Sequence, residues 1–150
     1  MNLFMSKKIL LDTNILIYGL DDQSPFYKSC KKILEDGFSS NEKLFYIPDK
    51  VLYELFRIFT SKAFSKKISP KEAQSAFDYF ATSSAYEKIF PTENTLSLVS
   101  ELLKLKPSKN KNIFDLVVTA LALENSIETI YTKNTKDFPE LPNLRIIDPT

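Results

Sequence analysis

The chain contains no histidine. That absence removes Ser-His-Asp and Cys-His catalysis, histidine acid–base work and every His-based metal site. A single cysteine, Cys30, excludes an intrachain disulfide and a cysteine zinc cluster. It lies beside lysines in a helical pattern and reads as structural. With only two glycines, Gly19 and Gly37, there is no glycine-rich phosphate loop, and turns fall to Pro, Asn, Asp and Ser. No apolar run approaches the ~20 residues of a membrane span, so no membrane association is expected. Met1–Ser6 shows no cleavable signal pattern, and a reduced, cytoplasmic setting is the expectation. Neither sign of charge dominates: 20 Lys+Arg face 19 Asp+Glu, for a net charge of +1. Attraction to nucleic acid would have to come from local patches. Catalysis is left to carboxylates, Lys, Tyr, hydroxyls or a metal held by oxygen.

What is present is the makings of one core. A chain of 150 residues that is 43% hydrophobic and 26% charged suits a single globular domain over 1–150. Lys8–Asp12 reads as a short strand, apolar on both faces and ending in a carboxylate. Helices are expected over Asn14–Leu20 and over Ser24–Asp36, the latter capped by Ser24. A second strand, Lys43–Ile47, stops at Pro48, and Asp49 is expected to cap a helix to about Lys62. Ser69-Pro70-Lys71-Glu72 has the form of a capping box that opens a helix to about Ser83. Glu87–Phe90 reads as extended. Thr92–Lys106 and Asn112–Glu124 read as helices, with Leu96, Val99, Leu102 and Leu103 on one face of the first. Ile127–Thr132 and Arg145–Ile147 read as the last strands. Strands alternating with helices predict an α/β fold of three layers, a central mostly parallel sheet flanked by helices. Ligands of such sheets sit beyond the carboxyl ends of the strands.

Polar residues stand at those ends. Asp12 ends the first strand. Glu54 shares a helix face with Lys50 and Arg57. Asp115 opens a helix, where the dipole favours an acid. Asn134 and Asp137 follow the fourth strand. Each has a plain structural explanation: a helix cap for Asp12, an ion pair for Glu54, a helix-start acid for Asp115, a turn for Asp137. Together they say more. Carboxylates gathered at one end of a sheet raise each other's pKa unless a cation joins them. Oxygen ligands without His or Cys select Mg²⁺ or Mn²⁺.

At these residues the sequence resembles PIN-domain proteins, in particular the VapC-type toxin ribonucleases. The resemblance rests on four blocks: Leu10-Leu11-Asp12-Thr13-Asn14-Ile15-Leu16, Val51-Leu52-Tyr53-Glu54-Leu55, Ile113-Phe114-Asp115-Leu116-Val117-Val118-Thr119-Ala120-Leu121-Ala122, and Ile130-Tyr131-Thr132-Lys133-Asn134-Thr135-Lys136-Asp137-Phe138. Leu144-Arg145-Ile146-Ile147-Asp148-Pro149 fits the family's last strand. The resemblance implies a Mg²⁺- or Mn²⁺-dependent hydrolysis of RNA phosphodiesters, with no covalent protein intermediate. It implies Asp12, Glu54, Asp115 and Asp137 as catalytic metal ligands, joined by Asn134. Asn134 stands where the family often has Asp and brings an oxygen without a charge. Thr13, Asn14 and Thr132 would support the first acid. Lys133, Lys136, Lys109 and Lys111 are candidate RNA contacts, with Lys62, Lys66, Lys67, Lys104 and Lys106 as further basic positions. It also implies an antitoxin partner and a homodimer. Phe77, Tyr79 and Phe80 in one helix and Phe56 and Phe59 in another are candidates for an interaction surface or for core.

Three other readings bear on the same residues. A haloacid-dehalogenase-like phosphatase needs Asp-x-Asp, and Asp12-Thr13-Asn14 lacks the second acid. A receiver domain needs its acidic pair at the first strand, whereas Asp21-Asp22 lies well beyond it. A degenerate PIN-like module that binds RNA or a protein without cleavage stays open, supported by Asn134.

Overall fold

A computed structural model describes residues 6–62, 64 and 66–150, apart from the side chain of Lys111. The elements run β1 (Lys7–Leu11), α1 (Thr13–Leu20), α2 (Tyr27–Ser39), β2 (Lys43–Pro48), α3 (Asp49–Phe59), α4 (Pro70–Thr82), β3 (Tyr86–Ile89), α5 (Glu93–Leu105), α6 (Ile113–Glu124), β4 (Thr129–Tyr131) and β5 (Arg145–Ile147). Short 3₁₀ turns cover Asn110–Asn112 and Thr135–Asp137.

The five strands form one parallel sheet in the order β3-β2-β1-β4-β5. The chain first builds outward from β1 to β3, then returns to lay β4 on the other side of β1. That reversal opens a crevice beyond the carboxyl ends of β1 and β4, the usual place for a ligand in such a sheet. Alternation along the strands separates two cores. Ile9, Leu11, Phe45 and Ile47 pack with residues of α1 to α4. Leu10, Ile89 and Ile130 pack with Val118 and Leu121 of α6 on the other face. Val99 and Leu102 of α5 lie against Leu116 and Ala120. This is the expected three-layer α/β arrangement. Burying one such Leu or Ile contributes about 1.5–3 kcal/mol.

Local chemistry explains most element ends. The Ser69 hydroxyl accepts the Glu72 N–H at 3.2 Å, and the Glu72 carboxylate accepts the Ser69 N–H at 2.7 Å. The predicted capping box is therefore present. Gly19 lets α1 and α2 approach closely, since a Cβ there would meet Leu34 Cδ1 at 2.5 Å. At the α6–β4 junction Ser126 takes a left-handed φ of 55°, and Ile127 N–H closes the helix on Ala122 O at 2.9 Å. A serine in that conformation costs roughly 1 kcal/mol that a glycine would not.

Three expectations need correction. Ser24 does not cap α2, which starts at Tyr27 with Phe26 at the cap. The Ser24 hydroxyl accepts the Phe26 N–H at 3.1 Å, and its carbonyl accepts the Tyr27 N–H at 3.1 Å. Ser24 thus closes a turn before the helix. Asp49 does not cap α3; it lies within the first turn, and Pro48 holds the cap position without a side-chain bond. Leu96 does not share the buried face of α5, being 81% exposed. Among the described residues no helix is long and apolar enough to cross a membrane.

Candidate active site

β1 ends at Leu11, and the chain turns directly into α1. Asp12 occupies that junction with extended backbone, and its Oδ1 accepts the Thr13 N–H at 2.8 Å. The cap role and the strand-end role therefore coexist in one residue. Asp12 is only 6% exposed. Its Oδ2 accepts the Thr132 hydroxyl at 2.8 Å and the Asn14 amide at 3.4 Å. Thr132 Oγ1 in turn accepts from the Asn14 amide at 3.2 Å and from the Asn134 N–H at 3.0 Å. The Asn14 carbonyl accepts the Lys133 N–H at 3.0 Å. This network of neutral donors ties the start of α1 to the end of β4. Burial pushes the Asp12 carboxyl above its ordinary pKa, and the Thr132 and Thr13 donors oppose that rise.

The facing wall comes from α3 and α6. Glu54 Oε1 accepts from the Lys50 ammonium at 2.8 Å, and Oε2 accepts the Thr13 hydroxyl at 2.6 Å. Burial alone would raise the Glu54 pKa, but Lys50 and Thr13 outweigh it and hold the carboxyl below its usual range. Asp115 lies in the first turn of α6. Burial, then the charges of Asp12 and Asp137, push its pKa up to about 7. Its neighbours on the chain give it a buried backing, since Leu116 and Thr119 are fully enclosed.

These side chains line a cavity of about 430 Å³ at the switch point, together with Asn134 and Asp137. The five positions expected as metal ligands thus share one pocket, and Thr13 and Asn14 line it with them. Thr132 stands behind Asp12 as the expected support. Among the described residues no three acids are drawn together into a metal-ligand cluster. The donor set still suits a hard divalent ion: it is all oxygen, and an acid held at about 7 by burial and by neighbouring carboxylates is relieved by a cation.

The basic residues fall differently. The Lys133 ammonium bonds Asp148 at 2.8 Å and Thr150 at 2.7 Å, and lies 3.8 Å from the Phe26 ring centre. Lys106 is committed to the carbonyls of Lys136 and Phe138, Lys104 to Glu101, and Lys66 to Asp22. Lys136 and Lys109 are exposed, and the Lys111 side chain lies outside the described residues. The lining cation is instead Arg57, and Lys50 bonds the pocket carboxylate Glu54. Their spacing from Glu54 was visible as a helix face, but it read as surface pairing. The pocket also has aromatic walls in Tyr18, Phe64 and Phe114. Phe114 is half exposed, with the Lys50 ammonium 5.3 Å from its ring centre.

Comparison with known proteins agrees with this geometry. The PIN domain profile matches residues 9–144. No curated protein matches the sequence. Among solved structures, the Mycobacterium tuberculosis VapC20 toxin, which cleaves the sarcin–ricin loop, superposes with a TM-score of 0.66 at 14% identity, covering 86% of this chain and 92% of its own. A chain of Rickettsia felis VapBC2, solved on a promoter DNA fragment, gives 0.65 at 26% identity, covering 93% and 97%. A chain of a Klebsiella pneumoniae toxin–antitoxin complex gives 0.62 at 22% identity, covering 95% and 98%. With the profile spanning nearly the whole chain and the acids gathered at the switch point, this protein belongs to the PIN domain family.

Proposed function

We propose that this chain is a metal-dependent endoribonuclease that hydrolyses RNA phosphodiester bonds as the toxin of a toxin–antitoxin pair. The observation that carries the reading is the convergence of Asp12, Glu54, Asp115 and Asp137 on one pocket beyond the strand ends. Asp12, Asp115 and Asp137, with Glu54 and the Asn134 carbonyl beside them, are the groups that would hold Mg²⁺ or Mn²⁺. When bound, such an ion supplies an activated water and charge neutralisation at the scissile phosphate. The chain's own residues do the rest. Thr132, Asn14 and the Thr13 N–H fix the orientation of Asp12. Arg57 at the pocket rim offers a fork of donors to a phosphate oxygen. Phe114 and Tyr18 offer ring faces for a neighbouring base. Lys109, Lys111 and Lys136 remain candidates for backbone contact further out, with Lys133 available only if it leaves Asp148.

An antitoxin partner fits the company of toxin–antitoxin complexes among the similar structures. A homodimer and cytoplasmic action complete the reading. Phe59 and Phe80 are core, whereas Tyr53, Phe56 and Tyr79 are exposed and Tyr53 stacks on Phe77 at 6.1 Å. The face of Tyr53, Phe56 and Phe77 is the candidate partner surface, with Tyr79 beside Phe38 apart from it, and light scattering at high micromolar concentration tests the dimer; a strict monomer overturns it. The second reading, a binding module without cleavage, draws on the uncharged Asn134. A mixed RNA pool with Mn²⁺, Mg²⁺ or EDTA separates the two. Metal-dependent cutting that vanishes in Asp12→Asn supports the nuclease. RNA affinity without cutting or metal binding favours the module.

A further inference from the structure

Lys50 sits where helix physics argues against it. It is the second residue of α3, and a cation in a first turn opposes the helix dipole. Its side chain is nevertheless largely enclosed, at 18% exposure, and doubly held. The ammonium bonds Glu54 Oε1 at 2.8 Å and covers the Phe114 ring, next in the chain to Asp115. Its charge is also felt at Asp12 and at Asp115, from the far side of the pocket. One ammonium therefore serves three carboxylates. Glu54 meanwhile has both oxygens engaged, one by Lys50 and one by the Thr13 hydroxyl.

Charge balance follows from this arrangement. Five carboxylates line the pocket, those of Asp12, Asp21, Glu54, Asp115 and Asp137, while Asn134 adds none. Lys50, bonded to Glu54, and the rim residue Arg57 offset two of them, and one divalent ion leaves a single negative charge for the substrate-free pocket. A second divalent ion would leave the substrate-free pocket positive, and both Glu54 oxygens are already engaged, one by the ammonium and one by the Thr13 hydroxyl.

We propose that Lys50 is a built-in cation that takes the place of a second divalent ion, so that each chain binds a single metal on the Asp12, Asp115 and Asp137 side while Glu54 tethers Lys50. This rests on the metal-dependent nuclease reading, and it assigns a positioning role to a residue that is held by Glu54 and acts on the metal through pocket charge.

The test is Mn²⁺ binding by titration calorimetry on the full chain stripped with EDTA, with folding checked by circular dichroism. The wild type is expected to bind one Mn²⁺, and Lys50→Arg likewise. Lys50→Met should bind a second ion or bind the first about tenfold tighter, through the lost repulsion. Lys50→Gln, which keeps a donor to Glu54 without the charge, should do the same and stands in if the Met variant does not fold. Two ions in the wild type, or unchanged number and affinity in the folded Met and Gln variants, overturn the inference. If RNA cleavage by the same preparation still requires metal, the nuclease reading survives that result. No Mn²⁺ binding by the wild type overturns both.

Discussion

The two walls of the pocket are built on different principles. The wall from β1 and β4 holds Asp12 by neutral donors: a backbone N–H, a threonine hydroxyl and an asparagine amide. The wall from α3 and α6 holds Glu54 by a lysine and leaves Asp115 to the field of its neighbours. Neutral donors fix direction and are indifferent to salt. An ionic partner tunes charge and responds to whatever cation enters. The first wall is thus the rigid reference, and the second is the part that answers to metal and pH.

Breaking the first wall should have the largest effect. Asp12→Asn is expected to lower RNA cleavage about 10³-fold, as for loss of a group aligned with the reacting centre. Initial rates on a cut-site oligonucleotide measure it. Thr132→Val removes the buried hydroxyl that donates to Asp12 and accepts from Asn14 and Asn134. Leaving those groups without a partner should cost about 1–3 kcal/mol in urea unfolding.

The second wall should respond in the opposite sense. The metal-free Asp115 carboxyl titrates near 7, above its value in an unfolded chain. The native state therefore holds the extra proton between the ordinary Asp pKa and about 7, and stability falls as pH rises through that window. Asp115→Asn removes the penalty. After allowing for solvent screening, the EDTA-treated variant should be about 1–2 kcal/mol more stable at pH 8 and little changed at pH 4. Thermal melts at both pH values check it, and equal gains at the two would contradict the assignment. The same variant should fail to cleave RNA. The smallest expected effect lies outside both walls. Ser126→Gly should stabilise by about 0.5–1 kcal/mol, with cleavage unchanged.

The sequence made the backbone of this site readable because its signals are local. The apolar run Ile9–Leu11 marked β1, and Ser69 with Glu72 marked α4, because strand burial and capping depend on adjacent residues. Ser24 misled because the same hydroxyl that caps a helix also closes a turn, and only the fold chooses between them. Leu96 misled because periodicity gives a face but not what lies opposite it. The acids were legible as strand-end and helix-start residues. Their cations were not: Lys133 is drawn to Asp148 near the end of the chain, a partner fifteen residues away that no periodicity reveals. Lys50 was visible as a partner of Glu54, but its reach toward Asp115 needs α6 beside α3.

Asp12 and Thr132 meet across 120 residues of sequence, through the parallel pairing of β1 with β4. No hairpin brings them together early; the contact waits for both crossovers to be in place. A ribosome must therefore extend the chain past Thr132 before the first acid acquires its partner. A chain stopped short of Thr132 carries Asp12 at the end of β1 without the hydroxyl that closes the first wall, so this pocket cannot assemble from the N-terminal part alone.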